Sequence, residues 1–183
     1  MKEELSVDYL LKRNIILIIG EINEEMASRV ISQILYLDEN NAKEIIFYIN
    51  SPGGSVTQGL AIYDTMKYVE PVISTIAVGQ CYSMGAFLLS CGDEGHRYAL
   101  PNSEVMIHQP IGGASGQATD IINAAEHIKK IRERLNDILA KNCKKSIEVI
   151  QRDTDRDNYM TAEEAKEYGL IDHIITSKKE SGD

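Results

Sequence analysis

Three short stretches hold the residue types that acyl chemistry needs. The first is Gly79-Gln80-Cys81-Tyr82-Ser83-Met84-Gly85, where an apolar run gives way to a serine and then to a second apolar run. A serine at such a corner stands at a helix N-terminus, where free N–H groups and the dipole favour developing negative charge. The GxSxG pattern of a nucleophile elbow is absent, because Cys81 lies two positions before Ser83. The second stretch is Ser51-Pro52-Gly53-Gly54-Ser55. Paired glycines at a strand end let the backbone approach a ligand, and one inward N–H can complete an oxyanion site. The third is Met106-Ile107-His108-Gln109-Pro110. His108 ends an apolar strand just before a glycine-rich segment, a good place for a general base. His96, His127 and His173 lie in polar or helix-surface contexts. Each feature also has a plain structural reading: an N-cap, a tight turn, a hydrogen-bonded histidine.

The residues alone leave the acid open. Asp153, Asp155 and Asp157 fall within five positions. Metal binding is a rival use of that cluster, but Arg152 and Arg156 interleave with the carboxylates and no Ca²⁺-loop pattern is present. No metal is expected. The three cysteines, Cys81, Cys91 and Cys143, are odd in number and lack CxxC spacing, so buried reduced thiols are expected. Cys81 is the candidate exception because of its neighbours.

The elements that must position these residues alternate between strand and helix. Asn14–Ile19 reads as a buried strand ending at Gly20. Asn23 can cap a helix whose apolar face is Met26, Val30, Ile31, Ile34 and Leu35. Glu44–Ile49 is a strand, Val56–Val69 a helix, and Val72–Val78 a strand broken by Gly79. Met84–Cys91 is a short helix and Glu104–Ile107 a strand. A long helix is expected from about Ala118 to Asn142, spanning roughly 37 Å at ~1.5 Å per residue. Ile121, Ile128 and Leu135 recur on it every seventh residue, with Ala125, Ile131 and Ile138 beside them. Such a helix projects from the body, and its stripe calls for a second copy of the chain. The alternative is a core helix lying across the sheet. Ser146–Arg152 is a short helix, Thr161-Ala162-Glu163-Glu164 is a capping box for another that Gly169 ends, and Leu170–Ile175 is a closing strand. The pattern is α/β with right-handed crossovers.

Composition narrows the class. The 183 residues are 43% hydrophobic and 26% charged, ordinary for a globular chain. A net charge of −9 gives no footprint for a phosphate backbone, so no nucleic acid is expected. The longest aliphatic run, Ile15–Ile19, is far short of a membrane span, and the N-terminus lacks a signal pattern. A cytoplasmic location is the resulting expectation.

In combination these motifs are specific. Tyr48-Ile49-Asn50-Ser51-Pro52-Gly53-Gly54, Ile62-Tyr63-Asp64-Thr65-Met66, Ser83-Met84-Gly85-Ala86-Phe87-Leu88-Leu89, Pro101-Asn102-Ser103, Met106-Ile107-His108-Gln109-Pro110, Gly116-Gln117-Ala118-Thr119-Asp120 and Arg152-Asp153-Thr154-Asp155-Arg156-Asp157 occur in that order. From about Leu10 to Ile175 the chain resembles the ClpP family, the proteolytic subunits of the ATP-dependent Clp protease. The resemblance implies a ClpP/crotonase-like spiral of strand–helix repeats. It implies one peptidase domain over residues 1–177, a "handle" over about 110–142, and a frayed tail at 178–183. It implies a serine endopeptidase that degrades unfolded polypeptides, with Ser83 as nucleophile, His108 as base and Asp157 as acid. Backbone N–H groups of Gly54 and Met84 would form the oxyanion hole. The segment Gly112, Gly113, Ala114, Ser115 and Gly116 would be an extended strand that pairs with substrate. Tyr48, Tyr68 and Tyr98 would line a groove for the unfoldase. The implied partners are further copies of the chain in two stacked heptamers and a hexameric AAA+ unfoldase, which uses the ATP. No cofactor is implied for this chain, which has no GxxxxGK[ST] loop.

Two departures stand out. Only about nine residues precede the Leu10-Leu11-Lys12-Arg13 match, which implies a short axial gate. Cys81-Tyr82 stands where the family usually has small residues, and Tyr82 is expected to alter the pocket or the packing behind Ser83. The alternatives are a weakly active or structural ring subunit needing a paralogous ClpP, and, more remotely, a crotonase-type acyl-CoA enzyme.

Overall fold

A computed structural model describes residues 9–177. The expected gate segment and the tail at 178–183 lie outside these residues. Seven strands form one sheet among the described residues: β1 (Ile15–Ile19), β2 (Glu44–Ser51), β3 (Val72–Tyr82), β4 (Arg97–Ala99), β5 (Glu104–Ile107), β6 (Asn158–Thr161) and β7 (His173–Ile174). The main path runs β1-β2-β3-β4-β7, all parallel. The helices are α1 (Glu24–Glu39), α2 (Val56–Tyr68), α3 (Met84–Ser90), α4 (Ala118–Cys143), α5 (Ile147–Asp153) and α6 (Ala162–Tyr168). The architecture is mixed α/β with alternating strands and helices. No helix of the described residues is long and apolar enough to cross a membrane.

Local chemistry sets the helix starts. Asn23, Ser55 and Ser146 each accept a backbone N–H in the first turn of α1, α2 and α5. Thr161 and Glu164 complete the capping box of α6, and Gly169 ends that helix in the left-handed region at φ +95°. The face of α1 that is buried holds Met26, Ala27, Val30, Ile34 and Leu37, whereas Leu35, expected inside, is 43% exposed. The stripe is centred slightly off the expected one. One core cluster runs from Ile16 and Phe47 through Leu88 and Ile150 to Leu170.

Gly79 does not break β3. The strand runs on to Tyr82, and Gly79 adopts φ +69° within it. Against β2 the register slips, Ile49 opposing Ala77 and Ser51 opposing Cys81, which is a bulge. A glycine inside a strand marks such a feature, and the extra residues bend the strand and re-aim the side chains beyond it. Past the bulge, Gln80–Tyr82 pair with β5 instead of β4. β4 and β6 were not expected. The closing strand is only His173–Ile174, shorter than Leu170–Ile175, because Leu170 and Ile171 are buried in the turn after α6. Arg97 fixes that corner: it donates to both oxygens of Asp172 and to the carbonyls of Asn142 and Gly169.

α4 has 26 residues and packs by its C-terminal half. Leu135, Asn136, Leu139 and Cys143 are buried, while Ile121 and Ile122 are 43% and 58% exposed. The N-terminal half therefore stands clear of the core and does not lie across the sheet.

Candidate active site

Three neighbouring strands end at one place. Ser83 follows the last residue of β3, His108 follows the last of β5, and Asp157 precedes the first of β6. β3 and β5 are parallel, with Tyr82 opposite Met106, and the Ser83 N–H bonds Met106 O at 2.8 Å. β5 and β6 are antiparallel, with Ile107 opposite Asn158, so the next pair in that ladder is His108 and Asp157. Register alone thus brings three distant residues to one sheet edge.

Their side chains form a continuous hydrogen-bond chain. His108 Nδ1 lies 3.0 Å from Asp157 Oδ1 and Nε2 lies 2.8 Å from Ser83 Oγ. A carboxylate only accepts, so Nδ1 carries the proton donated to Asp157, and Nε2 accepts from the Ser83 hydroxyl. The His108 side chain is 14% exposed and that of Asp157 is 55% exposed. The other two acids are used elsewhere. Asp153 takes Arg152 and the Tyr168 hydroxyl; Asp155 accepts from Gln109 and faces Arg132 and Arg156. Arg152 holds the Asp153 carboxyl below the ordinary range, and Tyr168 adds to this.

Ser83 has φ +55° and ψ −121°, a strained conformation for any residue with a Cβ. This is the mechanical feature of a nucleophile elbow without its sequence pattern. Two glycines make room for it. A Cβ on Gly53 would lie 2.6 Å from Ser83 Cβ and 3.1 Å from Ser83 Oγ. A Cβ on Gly54, at φ +148°, would lie 2.3 Å from Ile22 O. Ile22 bridges this loop, donating to Gly53 O and accepting from the Ser55 N–H. The Gly54 N–H between them takes no part in that bridge, and Met84 opens α3, where a backbone N–H has no helical acceptor.

Beside Ser83 and His108 lies a cavity of about 20 Å³ walled by Met84, Phe87, Ile107, Pro110, Leu135 and Leu139. Of the two effects expected of Tyr82, the one on the pocket is not seen, since Tyr82 does not line it. Strand alternation turns Tyr82 to the other side, where its hydroxyl bonds Glu104 and its ring meets Tyr159 edge-on at 5.6 Å. The Glu104 bond pushes the phenol up to about 12. Cys81 is not exceptional either. It is fully buried, like Cys91 and Cys143, and burial raises its thiol far above the ordinary value.

The remaining candidates are placed less tightly. Residues 112–116, expected to pair with substrate, are exposed and form no strand with any described segment. With three glycines and no neighbour to pair with, the backbone has nothing to hold a ladder. Gly112 sits against Ile128 of α4, where a Cβ would approach to 2.7 Å. Tyr48 and Tyr98 share one cross-strand row through Ile76, and Tyr98 stacks on His173 at 5.5 Å. Tyr68, on the last turn of α2, is 81% exposed and off that row. Sequence reasoning missed Asn136, which also lines the cavity; a lone polar residue on an apolar helix face was its only signal.

Compared with known families, the chain matches the Clp protease family over residues 2–178.

Proposed function

The chain belongs to the Clp protease family, and on that premise we propose that Ser83, His108 and Asp157 are its catalytic triad. It is a serine endopeptidase subunit of the Clp system, which degrades unfolded polypeptides. The observation that carries the residue assignment is the hydrogen-bond chain from Asp157 through His108 to Ser83.

The chemistry follows from the atoms. Ser83 Oγ bonds to the peptide carbonyl carbon while its proton passes to His108 Nε2. Asp157 holds the ring by Nδ1–H and stabilises the imidazolium. The carbonyl oxygen becomes an oxyanion facing the Gly54 and Met84 N–H groups; losing one such donor costs about 2.7–4 kcal/mol of barrier. The C–N bond then breaks and the amine leaves with the proton from Nε2. Water, deprotonated by His108, attacks the acyl-enzyme and restores Ser83.

Membership in the family implies oligomeric assembly and work with an AAA+ unfoldase. In our reading residues 1–177 are one peptidase domain on a ClpP/crotonase-like spiral, and α4 is its handle. The exposed Ile121 and Ile122 would pack between two stacked heptamers. Residues 112–116 offer open backbone to an unfolded chain by strand addition. Tyr48, Tyr68 and Tyr98 would receive the loops of a hexameric unfoldase.

Labelling with a fluorophosphonate tests the triad. The expected adduct is on Ser83, absent in Ser83→Ala and strongly slowed in His108→Ala while the assembly by size-exclusion chromatography is unchanged. An adduct elsewhere, or His108→Ala labelling at the wild-type rate, overturns the assignment.

A further inference from the structure

A row of side chains crosses three strands just short of the triad. Tyr82 opposes Met106 in the β3–β5 ladder, and Met106 opposes Tyr159 in the β5–β6 ladder. Ser83 follows Tyr82 directly, His108 lies two residues after Met106, and Asp157 lies two before Tyr159. Directly opposed residues share a face, so the two tyrosines flank Met106. β6 pairs with β5 and not with β3, which puts β3 and β6 two strand spacings apart, about 9.5 Å. Side chains close that gap. The Tyr82 and Tyr159 rings meet edge-on at 5.6 Å, and the Tyr82 hydroxyl donates to Glu104, the first residue of β5. One side chain thus joins all three strands that carry the triad. Filling the core does not account for it, because Tyr82 is only half-buried, Glu104 is exposed and Tyr159 is 53% exposed. The triad sits where the ladders stop: the Ser83 N–H bonds Met106 O, and the last β5–β6 pair is Ile107 with Asn158. Ladder ends are held from one side only and open most readily.

We propose that Tyr82 is a positioning residue: it clasps β3 to β6 across β5 and so keeps Ser83, His108 and Asp157 in one hydrogen-bonded line. An edge-on ring pair and one hydrogen bond together bias an equilibrium about tenfold. The bias favours closed ladder ends over open ones, in which His108 parts from Asp157 or from Ser83. Tyr82 does not line the cavity beside Ser83, so it sets the fraction of aligned triads and not the binding of substrate. Its loss therefore falls on kcat and leaves KM unchanged. The proposal rests on the reading of Ser83, His108 and Asp157 as the triad.

Peptidase kinetics on the assembled protein provide the test, at a temperature well below the melting point of every variant. Tyr82→Ala lowers kcat about tenfold with KM held within about twofold, and fluorophosphonate labelling of Ser83 slows with it. Tyr82→Phe keeps the ring pair and recovers most of the rate, and Glu104→Gln keeps an acceptor for the hydroxyl and stays near wild type. Tyr159→Ala, at an exposed position, loses the ring pair and about threefold in kcat. The double variant Tyr82→Ala with Tyr159→Ala is no slower than Tyr82→Ala alone, because the pair is already gone. Where Tyr82→Ala does not assemble, Tyr159→Ala against Tyr159→Phe gives the same comparison. A tyrosine that serves stability alone lowers the melting temperature and leaves kcat of the folded assembly within about twofold; that result overturns the proposal, as does a loss carried in KM. If the wild-type protein labels elsewhere than Ser83, the triad reading fails instead, and the two failures are distinct.

Discussion

Substituting Gly53 with alanine tests the geometry around Ser83, the proposed nucleophile, more sharply than removing Ser83 itself. The new Cβ would sit 2.6 Å from Ser83 Cβ and 3.0 Å from Tyr82 O. Carbon atoms rest at about 3.5–4.0 Å, so Ser83 or the loop must move by about 1 Å. Ser83 has little freedom to move, since its N–H is held by Met106 O and its own carbonyl accepts from Phe87 N–H at 2.9 Å. A displacement of about 1 Å at a reacting group costs on the order of 100-fold in rate. Gly53 also has φ +98°, which adds roughly 1–3 kcal/mol of strain for a residue with a Cβ. Gly95 separates the two effects: it has φ +84°, and a Cβ there would meet nothing within 4 Å. Both variants should melt earlier than wild type in thermal denaturation. Only Gly53→Ala should lose fluorophosphonate labelling of Ser83, by about 100-fold. If Gly53→Ala labels within about threefold of Gly95→Ala, the close approach of this loop to Ser83 does not control the nucleophile.

Other expectations rest on single contacts. Asp157→Asn should lower kcat by about 10⁴-fold, the loss expected when the ring is held in the wrong tautomer, whereas Asp153→Asn should leave peptide hydrolysis by the folded protein near the wild-type rate. Burial pushes the Asp172 carboxyl up, but the Arg97 side chain and the N–H groups of Arg97 and Gly95 outweigh it, so its value lies below the ordinary range. Its stabilising contribution is complete above the unfolded value and is lost as pH falls through the folded one. Asp172→Asn should therefore cost about 3–5 kcal/mol in denaturant melts at pH 7, with the gap to wild type closing in acid. A gap that widens in acid contradicts the sign. Native protein should resist alkylation at all three cysteines, since each is buried and Cys91 is pushed up to about 12 and Cys143 to about 11, mainly by desolvation. Mass spectrometry should find three adducts only after unfolding. Paired Ile121→Asp and Ile122→Asp changes should lower the sedimenting mass if those exposed side chains hold an assembly; an unchanged mass excludes them.

How much of this was legible in the sequence depends on the length of the signal. The caps Asn23 and Thr161 were readable, because each acts through a neighbour three residues away; Ser55 and Ser146 cap in the same way but were not read as caps. β2 and the long helix were readable from periodicity. β4 and β6, three and four residues long, carry no period and were missed, while β7 was read too long. They exist because long-range partners exist. Gly79 was recognised as an interruption, but whether a glycine ends a strand or bends it depends on which strand lies alongside. The choice among three acids could not come from residue type either. Each carboxylate is defined by what it faces, and that is decided by the ladder between β5 and β6.

That ladder also explains why the site tolerates so little slippage. In an antiparallel pair a shift of one residue turns every side chain to the opposite face. A shift of β6 against β5 by one residue would bring Arg156 or Asn158 beside His108 in place of Asp157. Two bonds outside the strands guard against it. The Gln109 N–H donates to Thr154 O at 2.6 Å, and Gln109 Nε2 donates to Asp155 O at 2.7 Å. They pin the residue after His108 to the turn that leads to Asp157. Thr154, in turn, is buried and held to α5 by its own N–H and hydroxyl, both donating to Ile150 O. The alignment of His108 and Asp157, the proposed base and acid 49 residues apart, is thus carried by backbone register and a buried threonine. Replacing Gln109 by alanine removes only the side-chain bond and leaves the N–H to Thr154. The expected result is a modest loss of rate, whereas removal of Asp157 is severe.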